Sequence, residues 1–219
     1  MMKFAGFTAS VLAFAAASAA LAGDDSIVTK KLDLEGFDRI DVSGVYELDV
    51  RVGPSFSIEL SGRGHEMNRV EASVKNGVLH LDQRDETRKE KRMWRNNKGI
   101  DAVITLPALN GLEVSGVVEG SISDIDSADF EVNISGVGDI ELDGECGRFD
   151  AHVSGVGDLD ADALECSVVN ITLSGVGDAS VYAREEVDAR VSGMGDIDVY
   201  GSPPKVSKSK SMFADVTIH

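Results

Sequence analysis

The residues with the clearest chemical potential recur at fixed places. Asp139, Asp158, Asp178 and Asp196 each close a five-residue motif: Ser135-Gly-Val-Gly-Asp139, Ser154-Gly-Val-Gly-Asp158, Ser174-Gly-Val-Gly-Asp178 and Ser192-Gly-Met-Gly-Asp196. Glu119 and Glu47 close two worn copies, Ser115-Gly-Val-Val-Glu119 and Ser43-Gly-Val-Tyr-Glu47. Stacked on successive turns of a chain, such carboxylates lie about 5 Å apart and repel by roughly 1 kcal/mol per pair even in water. Something must offset that. One candidate is a Ca²⁺ ladder on Asp139, Asp158, Asp178 and Asp196, as in the G-G-x-G-x-D repeats of RTX proteins. The match is poor, because here Asp directly follows the second Gly and no Gly-Gly pair precedes it. The other is local: the carboxylate and the Ser hydroxyl accept hydrogen bonds from N–H groups of their own turn. The local arrangement is preferred, and the Ca²⁺-binding repeat stays as an alternative.

Glycoside hydrolysis needs two carboxylates in unlike surroundings. The repeated Asp residues occupy near-identical settings, which is a structural pattern. His65, His80, His152 and His219 are scattered, and His152, between inward Ala151 and Val153, faces outward. The corner serines recur too regularly for nucleophiles, and no phosphate-cradling loop stands in a βαβ context. The chain reads as a non-enzyme without cofactor, with a polysaccharide-active β-helix enzyme as the alternative. Cys146 lies 11 residues after its corner Ser and Cys166 lies 12 after the next one. On stacked turns they become neighbours, so a Cys146–Cys166 disulfide is expected. Without a C-x-x-C spacing or a nearby His pair, a metal or redox role is set aside.

One cationic run stands against this acidic background. Residues 84–98 read RDETRKEKRMWRNNK and carry the only tryptophan. Arg88, Arg92, Trp94 and Arg95 could form a partner-binding loop. The plainer alternative is a solvated excursion that folds Met93 and Trp94 against a flank.

The elements that must position these residues follow from the flanks. Three and one residues before each Ser stand Ile40/Val42, Leu112/Val114, Val132/Ile134, Ala151/Val153, Ile171/Leu173 and Ala189/Val191. Five and seven residues after it stand Leu48/Val50, Ile140/Leu142, Leu159/Ala161, Ala179/Val181 and Ile197/Val199. Each unit is a strand of period two, a Gly corner and another such strand. Val45, Val117, Val137, Val156, Val176 and Met194, two residues into the corners, are expected to point inward as well. Gly155 and Gly175 are expected to need φ > 0. A unit of this kind cannot bury its apolar face alone. Stacked copies form continuous ladders about 4.8 Å apart. The serines are 19, 20 and 18 residues apart, one turn of a parallel β-helix with short sides; a propeller blade needs about twice that. Ser61-Gly62, eighteen residues after Ser43, extends the series upstream. Between Val78 and Ile104 the pattern breaks around the basic insertion.

Met1-Met2-Lys3, an Ala-rich apolar stretch from Phe4 and the ending Ala20-Leu21-Ala22 read as a secretory signal peptide over residues 1–22. No Cys lies near the expected cut, so a lipid-attachment signal is not expected there. Residues 23–219 are then expected to form a single β-helix domain, without a transmembrane span, in the periplasm, cell envelope or outside the cell. The formal net charge of −17 disfavours nucleic acid and anionic lipid as partners and fits a cationic one.

Three further features join the S-G-x-G-D ladder: Val103-Ile-Thr-Leu-Pro-Ala-Leu109, Leu112-Glu-Val-Ser-Gly116 and Tyr200-Gly-Ser-Pro-Pro-Lys-Val206. Together they resemble the putative auto-transporter adhesin head domain family, the GIN domain, a domain of unknown function, from about Phe37 to Ile218. The resemblance implies a right-handed β-helix in exported bacterial proteins, many of them envelope lipoproteins. The chain itself is expected to be a binding, adhesin-like or structural module, with an envelope polysaccharide or protein as partner. It brings no catalytic residues. The chain departs from the family in lacking the lipid-attachment Cys. Its tail also reads Lys208-Ser-Lys-Ser-Met-Phe213 where relatives often carry another S-G corner, which suggests an altered C-terminal cap.

Overall fold

A computed structural model describes residues 26–85 and 99–219. The expected signal peptide and Arg88, Arg92, Trp94 and Arg95 of the insertion lie outside the described residues.

The alternating segments form strands β1 (Ile27–Leu32), β2 (Arg39–Ser43), β3 (Val45–Val52) and β4 (Ser57–Arg63), then a one-turn helix α1 (Gly64–Met67). There follow β5 (Val70–Lys75), β6 (Val78–Gln83), β7 (Ile100–Leu106) and β8 (Gly111–Val114). The regular repeats give the long strands β9 (Val117–Ile134), β10 (Val137–Val153), β11 (Leu159–Leu173) and β12 (Ala179–Val191). The chain ends in β13 (Ile197–Tyr200), β14 (Lys205–Lys210) and β15 (Val216–Ile218). From β9 onward the pairing is parallel and each residue stacks on its repeat equivalent, as in Ile140 on Leu159 and Leu159 on Ala179. The protein is a parallel β-solenoid.

The corners divide two faces. The face that follows the corner runs β1-β4-β7-β3 and then through β9, β10, β11 and β12 to β13 and β15. The face that precedes it runs β5-β6-β2-β8, through the later halves of the same long strands, to β14. Coil order departs from chain order, because β3 lies between β7 and β9, and β2 between β6 and β8. The broken pattern between Val78 and Ile104 thus has a place: β6 and β7 pair with β2 and β3 in an end coil, with residues 84–98 between them in the chain. Ser61-Gly62 is no corner. It lies within β4, antiparallel to both β1 and β7.

Both flanking apolar sets are buried in every coil, from Ile40 and Val42 to Ile197 and Val199. Phe130 and Phe149 stack between adjacent coils with centroids 5.9 Å apart. Each such side chain contributes roughly 1.5–3 kcal/mol on burial. The apex residues contradict expectation: Val117, Val137, Val156, Val176 and Met194 are 47, 47, 52, 43 and 55% exposed, and Val45 is half-buried. Counting from the buried residue before each Ser to the buried one five after it, the alternation runs unbroken. The apex shares the outward parity of the Asp two residues on.

The corner glycines also act differently from the expectation. Gly155 and Gly175 do not adopt positive φ. A Cβ there would lie 1.8 and 1.9 Å from the carbonyl oxygens of Gly136 and Gly155 one coil below. Positive φ belongs to the second glycine, at 139° in Gly157, 145° in Gly177 and 137° in Gly195.

At the far end the tail forms a corner without glycine, Ser211-Met-Phe-Ala-Asp215. The Ser211 hydroxyl donates to the Gly193 carbonyl at 3.0 Å, where the Met194 N–H donates to the Gly175 carbonyl one coil earlier. The Phe213 N–H turns to Ser211 Oγ. Edge strands carry lysines, Lys30 and Lys31 on β1 and Lys205, Lys208 and Lys210 on the fully exposed β14, which disfavours end-to-end pairing. No helix among the described residues is long and apolar enough to cross a membrane.

Cys146 and Cys166 are partners in the β10–β11 register and form a disulfide, with Cα atoms 4.5 Å apart. It closes a separation of 20 residues, for which chain entropy predicts about 3 kcal/mol. The Cys146→Ser/Cys166→Ser double variant should therefore melt well below the oxidised parent, and reductant should lower the parent's Tm towards it. Gly175→Ala should cost more than about 3 kcal/mol in thermal or urea unfolding, since backbone must move. Gly138→Ala meets its nearest neighbour, the Val118 carbonyl oxygen, at 3.3 Å and should cost less than about 1 kcal/mol. Equal melting of these two glycine variants would remove close approach as the reason for the corner.

Candidate functional site

The repeated Ser and Asp residues meet along the corner edge. Ser115, Ser135, Ser154 and Ser174 donate their hydroxyls to the carbonyls of Val42, Val114, Ile134 and Val153 in the coil below. The expectation that they accept turn N–H groups is corrected: their N–H neighbours are already committed to inter-coil bonds.

The carboxylates do accept backbone N–H groups, but those of the next coil rather than of their own turn. Asp139 Oδ1 takes the Asp158 N–H at 3.1 Å, and Asp158 takes that of Asp178 at 2.8 Å. Asp178 takes that of Asp196 at 2.8 Å, and Asp196 takes that of Asp215 at 2.7 Å. Each bond to a charged acceptor contributes about 1.5–3 kcal/mol when desolvated and less on an exposed edge. This offsets repulsion along the column without a cation. Asp139, Asp158, Asp178 and Asp196 are brought into line, yet no group of three or more His, Cys, Asp and Glu side chains among the described residues could hold a metal ion.

The column is longer than the repeat shows. Asp101 stacks on Glu47, Glu47 on Glu119 and Glu119 on Asp139. Eight consecutive rungs, from Asp101 to Asp215, thus place a carboxylate outward. Beside it Asp49, Glu141, Asp160 and Asp198 face the same way. Where β7, β3, β9 and β10 meet, Glu47, Asp49, Asp101, Glu119 and Glu141 line an open groove of about 410 Å³. All five are exposed alike, so none has the apolar surroundings that raise a catalytic acid.

The opposite face is mixed in charge, with Arg39 on Glu131 at 2.5 Å and His80 on Asp41 at 2.9 Å. The Arg39 and Asn133 hydrogen bonds hold the Glu131 carboxyl below its usual range. His152 is exposed on this face, and His219 bonds Asp198 at 2.8 Å. The histidines do not converge.

Sequence reasoning missed Gln83. Its side chain accepts the Val45 N–H at 3.1 Å and donates to the Val45 carbonyl at 3.4 Å. On the other side of the insertion, a Cβ on Gly99 would lie 3.1 Å from Val45. The basic insertion therefore leaves and rejoins the solenoid at the first corner, the start of the exposed apex row. Only the coil order, which was illegible in the sequence, could have shown this.

Asp158→Asn keeps an acceptor oxygen and removes one charge from the column, so it should leave stability in low salt unchanged or raised by up to about 1 kcal/mol. Asp158→Ala loses the acceptor and should cost about 1 kcal/mol. Millimolar Ca²⁺ should leave the Tm of both variants and of the parent unchanged. A rise confined to the parent would restore the Ca²⁺ ladder.

Comparison with known proteins agrees with this architecture. No match is found among curated proteins. The crystal structure of a putative adhesin from Bacteroides fragilis superposes with a TM-score of 0.74 at 24% identity, over 89% of this chain and 97% of that one. A putative lipid binding protein from Parabacteroides distasonis gives a TM-score of 0.50 at 17% identity, over 89% of this chain and 98% of that one. At these identities the likeness is one of fold. The family model described as putative auto-transporter adhesin, head GIN domain, matches residues 36–203, and the chain belongs to that family.

Proposed function

We propose that this protein is an exported, non-catalytic binding module of the bacterial cell envelope, adhesin-like, engaging another macromolecule through its outer surface. The observation that carries the reading is the division of labour in each coil. The interior positions are filled by packed Val, Ile, Leu and Phe side chains, so recognition falls to the outside. There the corner edge and the face after it present the same residue types rung after rung. A surface periodic along one axis suits an extended or polymeric partner better than a small molecule, which needs a concave, mostly apolar pocket. Carboxylates in equivalent solvated positions support binding over bond cleavage. The family's description as an adhesin head points the same way. The signal-like start at Met1–Ala22 supports export.

The test is co-sedimentation of residues 23–219 with isolated bacterial cell walls and outer-membrane material. A variant with the basic residues of the Arg84–Lys98 insertion changed to Ser is run in parallel. The parent should pellet with at least one of these materials. Loss of pelleting in the variant would put the contact in the insertion with Arg88, Arg92, Trp94 and Arg95. Retention would put it on the solenoid itself. A parent that stays in the supernatant with all materials would overturn the envelope-binding reading.

A further inference from the structure

The corner edge presents two features to solvent side by side. The first is an exposed aliphatic ridge: Val117, Val137, Val156, Val176 and Met194, with Phe213 in the same register one rung further. The apex residues pair from coil to coil, Val137 with Val156, Val156 with Val176 and Val176 with Met194, and form a continuous aliphatic row that is still about half exposed. An ordered row of large apolar groups facing water marks an interaction surface. The second is the acidic column two residues away on the same outward side. Each of Asp139, Asp158, Asp178 and Asp196 commits Oδ1 to the next coil. No described cation forms an ion pair with Glu47, Glu119 or any of these four. Ridge and column run side by side over at least five rungs, roughly 19 Å at 4.8 Å per rung.

We propose that this edge docks a cationic amphipathic helix of a partner protein, its apolar stripe on the Val/Met ridge and its flanking Lys or Arg side chains along the Asp column. Charge complementarity selects a basic partner and disfavours anionic lipid, which the column repels. Spacing selects the conformation. Along a helix the apolar stripe recurs about every 5.4 Å, so it drifts from the rungs by only about half a rung over the ridge. An extended strand repeats a side chain every ~6.7 Å and slips a whole rung within about three steps. A helix of about 13 residues spans the ridge. The inference rests on the binding-module reading and adds to it the site and the class of partner.

The probe is a fluorescein-labelled, helix-forming 14-residue Lys/Leu peptide with its leucines in one stripe. The control has the same composition with leucines distributed around the helix. Anisotropy with the full chain in low salt should show at least tenfold tighter binding of the striped peptide, weakening steeply with added salt. The variant with Val137→Ser, Val156→Ser and Val176→Ser should lose at least tenfold in affinity. The variant with Asp139→Asn, Asp158→Asn and Asp178→Asn, which keeps the inter-coil acceptors, should lose at least tenfold and much of the salt dependence. Circular dichroism checks that both remain folded, and single Val156→Ser and Met194→Ser variants carry the ridge test if the triple variant does not.

Equal binding of striped and scrambled peptides would overturn the proposal, as would no binding or indifference to either variant. So would ridge-dependent self-association in sedimentation velocity, or ridge-dependent binding to phosphatidylcholine vesicles without peptide binding, since the occupant would then be a second copy or lipid. If the parent still pellets with envelope material while the striped peptide fails, this inference falls and the binding-module reading stands.

Discussion

The close approach of backbone to backbone at the corners is the constraint on which the rest of this fold depends. Consecutive corners are hydrogen-bonded through the bend itself, as in Val156 N–H to the Gly136 carbonyl and Gly157 N–H to the Val176 carbonyl. A side chain on the first glycine would have to share space with a carbonyl oxygen at 1.8–2.1 Å. Both faces, the buried ladders and the outward columns inherit their register from that contact. Slippage at one corner would shift the facing of every side chain in the coil.

Once corners stack without displacement, like falls on like, and that carries an electrostatic liability. Eight carboxylates in line would oppose stacking if they were only solvated. For Asp139, Asp158, Asp178 and Asp196, accepting the backbone N–H of the following coil turns a repulsive neighbour into a partner, because the bonded N–H belongs to the next Asp in the column. The arrangement works for Asp, whose short side chain reaches one rung. Glu47 and Glu119 hold the same place in worn copies at the irregular end of the solenoid, where no such bond is made among the described residues.

Much of this was legible in the sequence, since period-two alternation flanking a fixed motif names the buried residues directly. Every predicted inward pair, from Ile40/Val42 to Ile197/Val199, is buried, and the cysteine offsets place Cys146 beside Cys166. What escaped is what local pattern cannot encode. The apex valines read as core because they are apolar, although parity puts them outside. The first glycine of the motif is expected to need positive φ, whereas it yields space to the coil below; positive φ falls on the second glycine in Gly157, Gly177 and Gly195, which also meets a carbonyl oxygen at 1.8–2.1 Å. Coil order was hidden as well, because no short-range signal tells β3 that its lower neighbour is β7, some fifty residues later.

The two ends of the solenoid explain where the sequence is free to depart from its repeat. An interior corner must offer N–H and C=O groups to coils on both sides, and only a glycine-bearing backbone does so at that distance. A terminal corner faces one neighbour, so side chains can complete it. At one end Gln83 supplies an amide oxygen and an amide N–H to Val45, a side chain in the role that stacked backbone takes elsewhere. At the other the Ser211 hydroxyl satisfies the Gly193 carbonyl, which allows Met212, Phe213 and Ala214 to replace the motif's glycines and valine. At Ser211, as at Gln83, a polar side chain thus substitutes for backbone, and there the sequence departs from the repeat.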